Sequence, residues 1–205
     1  MPGDLNSGHC PGLRERLAEA RVAVAGLGGL GSHVAAALAR CGVGHLLLAD
    51  FDVVEKSNLG RQNYSVRHLG RPKTEALRDV LAEIDPSVKV ETLTKKLNRR
   101  NIPDLLAGCE IIVEAFDDPA SKAELVTTAL TVFPEVMVVC GSGLAGVESA
   151  NLIRSRRAGP RLYICGDERT EARQGRGLMA PRVMVCAGHQ AGLVVRLLLG
   201  LAETD

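Results

Sequence analysis

Short apolar runs alternate along this chain with longer segments whose apolar residues recur at helical spacing. Residues 21–25, 45–49, 110–115 and 135–140 are nearly unbroken apolar runs, as expected of strands buried on both faces of a parallel sheet. Residues 88–93 alternate and predict a further strand. Between these runs, residues 13–20, 32–40 and 119–130 carry helix formers. Ala76, Leu77, Val80, Leu81 and Ile84 form a helical stripe that Pro72 opens and Asp85 with Pro86 closes. Residues 101–108 predict a short helix with a glycine stop. The last helix opens at Met179, Ala180 and Pro181, and Leu193, Val194, Leu197, Leu198 and Leu201 give it one apolar face. Gly42 and Gly44 predict a left-handed stop after residue 40.

This order predicts an α/β fold, a Rossmann-like mostly parallel sheet with helices on both faces. Residues 147–154 and 161–165, joined through Gly159 and Pro160, predict two late strands in a C-terminal antiparallel extension. No linker, repeat or low-complexity stretch divides the chain. Residues 1–12 read as an irregular N-terminal arm and 13–205 as a single domain.

The chemistry starts after the first strand. Gly26, Gly28 and Gly31 have the G-x-G-x-x-G spacing, set between a strand and a helix, and Asp50 closes the next strand. Gly26 permits a tight turn, Gly28 lets phosphate approach the backbone, and Gly31 lets the helix pack closely on the sheet. The helix start then faces the phosphate with free N–H groups, and Asp50 stands where ribose hydroxyls donate. The motif alone does not separate NAD from ATP. Asp117 closes another strand at the same sheet edge, suited to Mg²⁺ beside substrate phosphate. Arg61 and Lys73 sit in loops or first turns, either within reach of nucleotide phosphates or on ordinary solvated surface. Asn58 and Gln62 add neutral hydrogen-bonding groups. No histidine or tyrosine pair suggests hydride transfer.

The 205 residues are 46% hydrophobic and 24% charged with net charge +1, so no global field favours nucleic acid or an anionic membrane. Aromatics are only 2%, which argues against base stacking on single strands. Polar residues interrupt the last apolar run, so no membrane span is predicted. Six cysteines are scattered without C-x-x-C spacing, and with no signal peptide a reducing cytoplasm is the expected setting. Cys165, beside a polar loop at 167–177 that reads as flexible, is the one candidate reactive thiol. His33 and His189 read as packing or surface residues.

Residues 26–32, Asp50 with Asp52, Ser57, Asn58, Leu59, Arg61 and Gln62, Pro72 with Lys73, and Met179 to Pro181 resemble the ThiF/MoeB/HesA family. This bacterial group is similar to ubiquitin-activating enzymes, and the resemblance spans roughly residues 13–201. Glu114 to Asp117 and Ser142 to Gly146 look most like its short, ThiF-type members. The resemblance implies an adenylyltransferase that uses ATP and Mg²⁺ to activate the C-terminal glycine of a small ubiquitin-like sulfur carrier. A ThiS-like carrier of thiamine biosynthesis is the leading partner. A MoaD-like carrier or a tRNA-modifying role is the alternative within the family, and an NAD-binding oxidoreductase or a nucleotide-binding scaffold the alternative outside it.

Carried over by residue, Gly26, Gly28, Gly29 and Gly31 line the nucleotide, and Asp50, with Asp52 beside it, takes the ribose. Asn58, Arg61 and Lys73 contact and neutralise phosphates, Gln62 accompanies Arg61, and Asp117 organises Mg²⁺ at the reacting phosphate. The polar loop at 167–177 matches the crossover that the carrier tail threads, and a homodimer is implied. Three departures stand out. No paired cysteines are present, so no zinc is expected. Arg173 occupies the position where some members carry a sulfur-relay cysteine. The arm that offers an arginine across the dimer reads Gly8, His9 and Cys10 here, with Arg14 and Arg16 nearest.

Overall fold

The computed structural model describes residues 12–172 and 175–201. The irregular arm expected at 1–12 falls almost wholly outside the described residues, as does Arg173. Among the described residues six α-helices and seven strands follow in order: α1 Leu13–Glu19, β1 Arg21–Ala25, α2 Gly29–Arg40, β2 His45–Ala49, α3 Lys73–Ile84, β3 Lys89–Leu93 and α4 Ile102–Leu105. After them come β4 Ile111–Glu114, α5 Pro119–Val132, β5 Met137–Gly141, β6 Arg154–Arg157, β7 Leu162–Gly166 and α6 Ala180–Leu198.

All seven strands form one sheet in the order β3-β2-β1-β4-β5-β7-β6. Every pairing is parallel except β6 with β7, which is antiparallel from Arg154↔Gly166 to Arg157↔Tyr163. The strand period of two sends neighbouring residues into different cores. Val22, Val24, Leu46, Leu48, Ile111 and Val113 pack with α1, α2, α3 and α6. Ala23, Ala25, Leu47, Ala49, Ile112 and Val138 pack with α4 and α5 on the opposite face. The mixed α/β fold read from the sequence, with its antiparallel extension, is the fold observed.

The chain runs from β1 outward through β2 to β3, then returns to place β4 on the other side of β1. The switch point therefore lies between β1 and β4. In open parallel sheets the crevice beyond the strand C-termini at this point is where ligands bind. Gly26 follows β1 and Ala115 to Asp117 follow β4, so both candidate segments border that crevice.

Two local expectations are corrected. The strand expected at 147–154 is displaced: Ala150–Leu152 is a 3-10 turn and β6 begins only at Arg154. The Ser149 hydroxyl accepts the Asn151 N–H, and the Arg182 guanidinium takes the Glu148 and Ser149 carbonyls at 2.7 Å each. Those carbonyls are thus committed to a side chain rather than to a ladder. Gly42 takes a left-handed φ of 84°, but Gly44 does not. A Cβ at Gly44 would lie 1.8 Å from the Ala18 carbonyl, so this glycine serves close approach rather than a helix stop.

Candidate active site

The glycine turn is fixed by contacts a side chain would destroy. Gly26 has φ +89°, and a Cβ there would meet the Ala115 carbonyl oxygen at 2.7 Å. A Cβ on Gly31 would stand 1.8 Å from the Gly26 carbonyl oxygen. Gly28 differs, since its nearest neighbour would be the Gln62 amide at 3.7 Å. The open ground above Gly28 lies at the start of α2, a helix end with free N–H groups suited to an anion.

The segment from Ser57 to Tyr64 is braced against this turn. Ser32 Oγ donates to the Gly28 carbonyl at 2.6 Å and accepts the Asn63 N–H at 3.0 Å. The Tyr64 hydroxyl donates to the Leu27 carbonyl at 2.8 Å, and burial pushes that phenol well above its ordinary pKa. His33 Nε2 lies 3.3 Å from the Arg61 carbonyl, and burial lowers the imidazole pKa. His33, read from the sequence as packing or surface, is thus one of the braces. Arg61 directs one guanidinium nitrogen to the Ser57 carbonyl at 3.0 Å. Arg61 Nε and Gln62 Oε1 are among the few buried side-chain polar atoms left without a hydrogen-bond partner among the described residues. Orphaned donors and acceptors of this kind call for a partner.

Lys73 opens α3 and is nearly fully buried. Its ammonium is 2.7 Å from Asp52 Oδ2 and 3.9 Å from Asp50 Oδ2. Asp50 in turn accepts the Leu27 N–H on Oδ2 at 2.6 Å and the Asp52 N–H on Oδ1 at 2.8 Å. Burial raises the Asp50 pKa, and Lys73 opposes that shift. Asp50 therefore ties the glycine turn to Lys73, while Asp52 is the half-exposed carboxylate of the pair. A cavity of about 350 Å³ is lined by Phe51, Asp52, Val53, Glu55, Asn58 and Lys73. Asn58 is buried at its edge, accepting the Glu55 N–H at 3.0 Å.

Asp117 is exposed on the other side of the crevice. Phe116, just before it, and the Ala115 carbonyl are the groups nearest Gly26. The N-cap of α5 is Asp118, which accepts the Ser121 N–H. The structure thus brings Gly26, Gly28, Gly29, Gly31, Asp50, Asp52, Asn58, Arg61, Gln62, Lys73 and Asp117 to one sheet edge.

Sequence reasoning missed Tyr64 and the pairing of the buried Glu114 with the part-exposed Lys122. An acid inside the apolar run of β4 was the one signal for that pair. Cys165 does not fit a reactive thiol: it is fully buried, with Ser155 Oγ 3.4 Å from its sulfur. The start of the loop after it is anchored, since Asp167 accepts from Arg182, Thr170 and the Arg169 N–H.

Sheet order, glycine turn and the lysine–aspartate cluster define a Rossmann-like α/β protein with its candidate site at the topological switch point. The chain belongs to the ThiF family, whose model matches residues 6–205. It is 32% identical over 191 residues to the molybdopterin-synthase adenylyltransferase of Salmonella typhimurium, covering 90% of this chain and 75% of that one. It is 28% identical over 191 residues to the sulfur carrier protein ThiS adenylyltransferase of Escherichia coli, covering 92% and 76%. Among solved structures, the E. coli tRNA N6-threonylcarbamoyladenosine dehydratase TcdA in complex with ATP superposes with a TM-score of 0.86 at 19% identity, covering 96% and 92%. That last likeness is one of fold.

Proposed function

We propose that this protein is an adenylyltransferase that uses ATP to activate the C-terminal glycine of a small ubiquitin-like sulfur carrier. The observation that carries this reading is the buried Lys73 ammonium between Asp50 and Asp52, with Asp50 bonded to the Leu27 N–H of the glycine turn and the Arg61 carbonyl held by His33 of α2. In this reading the α2 N-terminus and Gly28 receive phosphate, Asp50 and Asp52 meet the ribose, and Arg61, Asn58 and Lys73 neutralise phosphate charge. The carrier carboxylate attacks the α-phosphorus, the bond to the β-phosphate oxygen breaks, and pyrophosphate leaves.

Among the described residues no group of three or more His, Cys, Asp or Glu side chains could hold a metal. Mg²⁺ at nucleotides takes one or two carboxylates together with phosphate oxygens, and the exposed Asp117, free of capping duty, fits that role. Bound there, Mg²⁺ would supply charge neutralisation at the phosphates. The family resemblance supports a homodimer, which sedimentation at working concentration checks. No helix among the described residues is long and apolar enough to cross a membrane.

A ThiS-like carrier agrees with the ThiF-like residues 114–117 and 142–146. A MoaD-like carrier is favoured by the identity to the Salmonella enzyme. ATP–pyrophosphate exchange with each carrier in turn decides: exchange that requires both Mg²⁺ and one carrier is the expected result. NADH turnover with no ATP requirement would overturn the reading.

A further inference from the structure

Glu114 ends β4 and is completely buried, yet it is a carboxylate in an otherwise apolar strand. Its Oε1 accepts the Phe116 N–H at 2.7 Å, and its Oε2 is ion-paired with Lys122 of α5. The same ammonium donates to the Gly141 carbonyl at the end of β5, at 2.9 Å. From the other face of the sheet, the fully buried Gln190 of α6 places Nε2 3.3 Å from the Glu114 carbonyl and 3.4 Å from the Val139 carbonyl. The ends of β4 and β5, the start of α5 and the turn after β4 are therefore fastened together around one charge pair.

Asp117 lies between two fixed points of this assembly. Glu114 holds the Phe116 N–H on one side, and the Asp118 cap on Ser121 holds the other. Glu114 bears the desolvation of full burial while Lys122 stays part-exposed, and an apolar residue would fill the strand end without that cost, so stability alone is a poor reason for a carboxylate here. We propose that the Glu114–Lys122 pair is a positioning unit that sets the turn carrying Asp117, and that Lys122 acts on the nucleotide site only through Asp117. This rests on the reading of Asp117 as the carboxylate for Mg²⁺, and it adds two residues to that site.

The test measures ATP binding by titration calorimetry without any carrier, first with EDTA and then at increasing MgCl₂. Amide hydrogen exchange of residues 115–120 is followed alongside. Lys122→Met leaves a buried carboxylate without its cation, so Glu114→Gln/Lys122→Met is included as the variant best able to keep its fold. In both, metal-free ATP affinity is unchanged, the Mg²⁺-dependent gain falls about 10-fold or more, and residues 115–120 exchange faster. Lys122→Arg recovers the Mg²⁺ response. Asp117→Asn/Lys122→Met is no weaker than Asp117→Asn alone, because the two act through one contact.

A full Mg²⁺ response in both Lys122→Met variants, with the response lost in Asp117→Asn, overturns the proposal and leaves the Asp117 reading standing. Additive losses in the double variant also overturn it, because Lys122 would then meet the nucleotide itself. A full response in Asp117→Asn removes the reading of Asp117 and the proposal together.

Discussion

The Asp118 carboxylate accepts the Ser121 N–H at 2.7 Å and so caps α5. Its neighbour Asp117 is thereby released from a task that either acid could have performed. Asp118→Ala is expected to lower the melting temperature by about 2–4 °C with pyrophosphate exchange nearly intact. Asp117→Asn should melt normally and lose exchange by at least ~100-fold, the scale of one well-placed electrostatic contact. Thermal melts read beside exchange assays separate the two, and a reversed pattern moves the functional carboxylate one residue along.

The glycines of the turn divide in the same way. Gly31→Ala drives a methyl into the Gly26 carbonyl, a backbone group that cannot step aside, with the buried Val24 side chain at 3.1 Å beside it. A loss of about 1–3 kcal/mol or more in urea unfolding is expected. Gly28→Ala meets only the Gln62 amide at ordinary contact distance, so its stability stays near wild type. Its ATP affinity should nonetheless fall, because the methyl occupies the ground phosphate approaches. Equal stability losses in the two variants would contradict this division.

Lys73→Met leaves Asp50 buried beside Asp52 with no cation. Burial already raises the Asp50 pKa in the folded state. A carboxyl whose folded pKa is raised contributes stability below its unfolded pKa, and that contribution is lost as pH rises through the folded value. Removing Lys73 raises it further. The stability gap between variant and wild type should therefore be small near pH 4 and grow toward pH 8. It should reach about 2–3 kcal/mol, below the range for a wholly buried pair because Asp52 is half-exposed. Urea titrations across that range check it, and a gap independent of pH would refute the linkage.

Tyr64→Phe removes the hydroxyl that donates to the Leu27 carbonyl. An unpaired buried carbonyl costs about 1–3 kcal/mol. The loosened turn should raise the KM for ATP more than it lowers kcat, since the residue shapes the binding surface rather than the reacting centre. Steady-state kinetics at saturating carrier make the comparison, and an unchanged KM would leave Tyr64 a packing residue only.

Much of the architecture was legible in sequence because parallel strands buried on both faces must be nearly all apolar. The runs at β1, β2, β4 and β5 announce themselves that way. The glycine spacing was legible for a steric reason, since the contacts at Gly26 and Gly31 tolerate no other residue. The extension at β6 was misplaced because its boundary is set by Arg182, 28 residues beyond the start of β6, which captures the carbonyls of Glu148 and Ser149. No local pattern encodes a capture across that distance.

The kinds of group available follow from the residues alone: a glycine turn at a strand end, acids closing two strands, and between them an arginine in a loop and a lysine at a helix start. Which of them meet was decided only by tertiary structure. The reversal of strand order at β1 brings the turn after β4 beside Gly26, although the two lie far apart along the chain. Burial then made Lys73 a partner of Asp50 and Asp52 rather than a solvated surface charge. Helix capping took Asp118 and left Asp117 exposed. Glu114 pairs with Lys122 because a carboxylate fully buried at a strand end needs a cation, and the part-exposed lysine one turn into α5 is within reach.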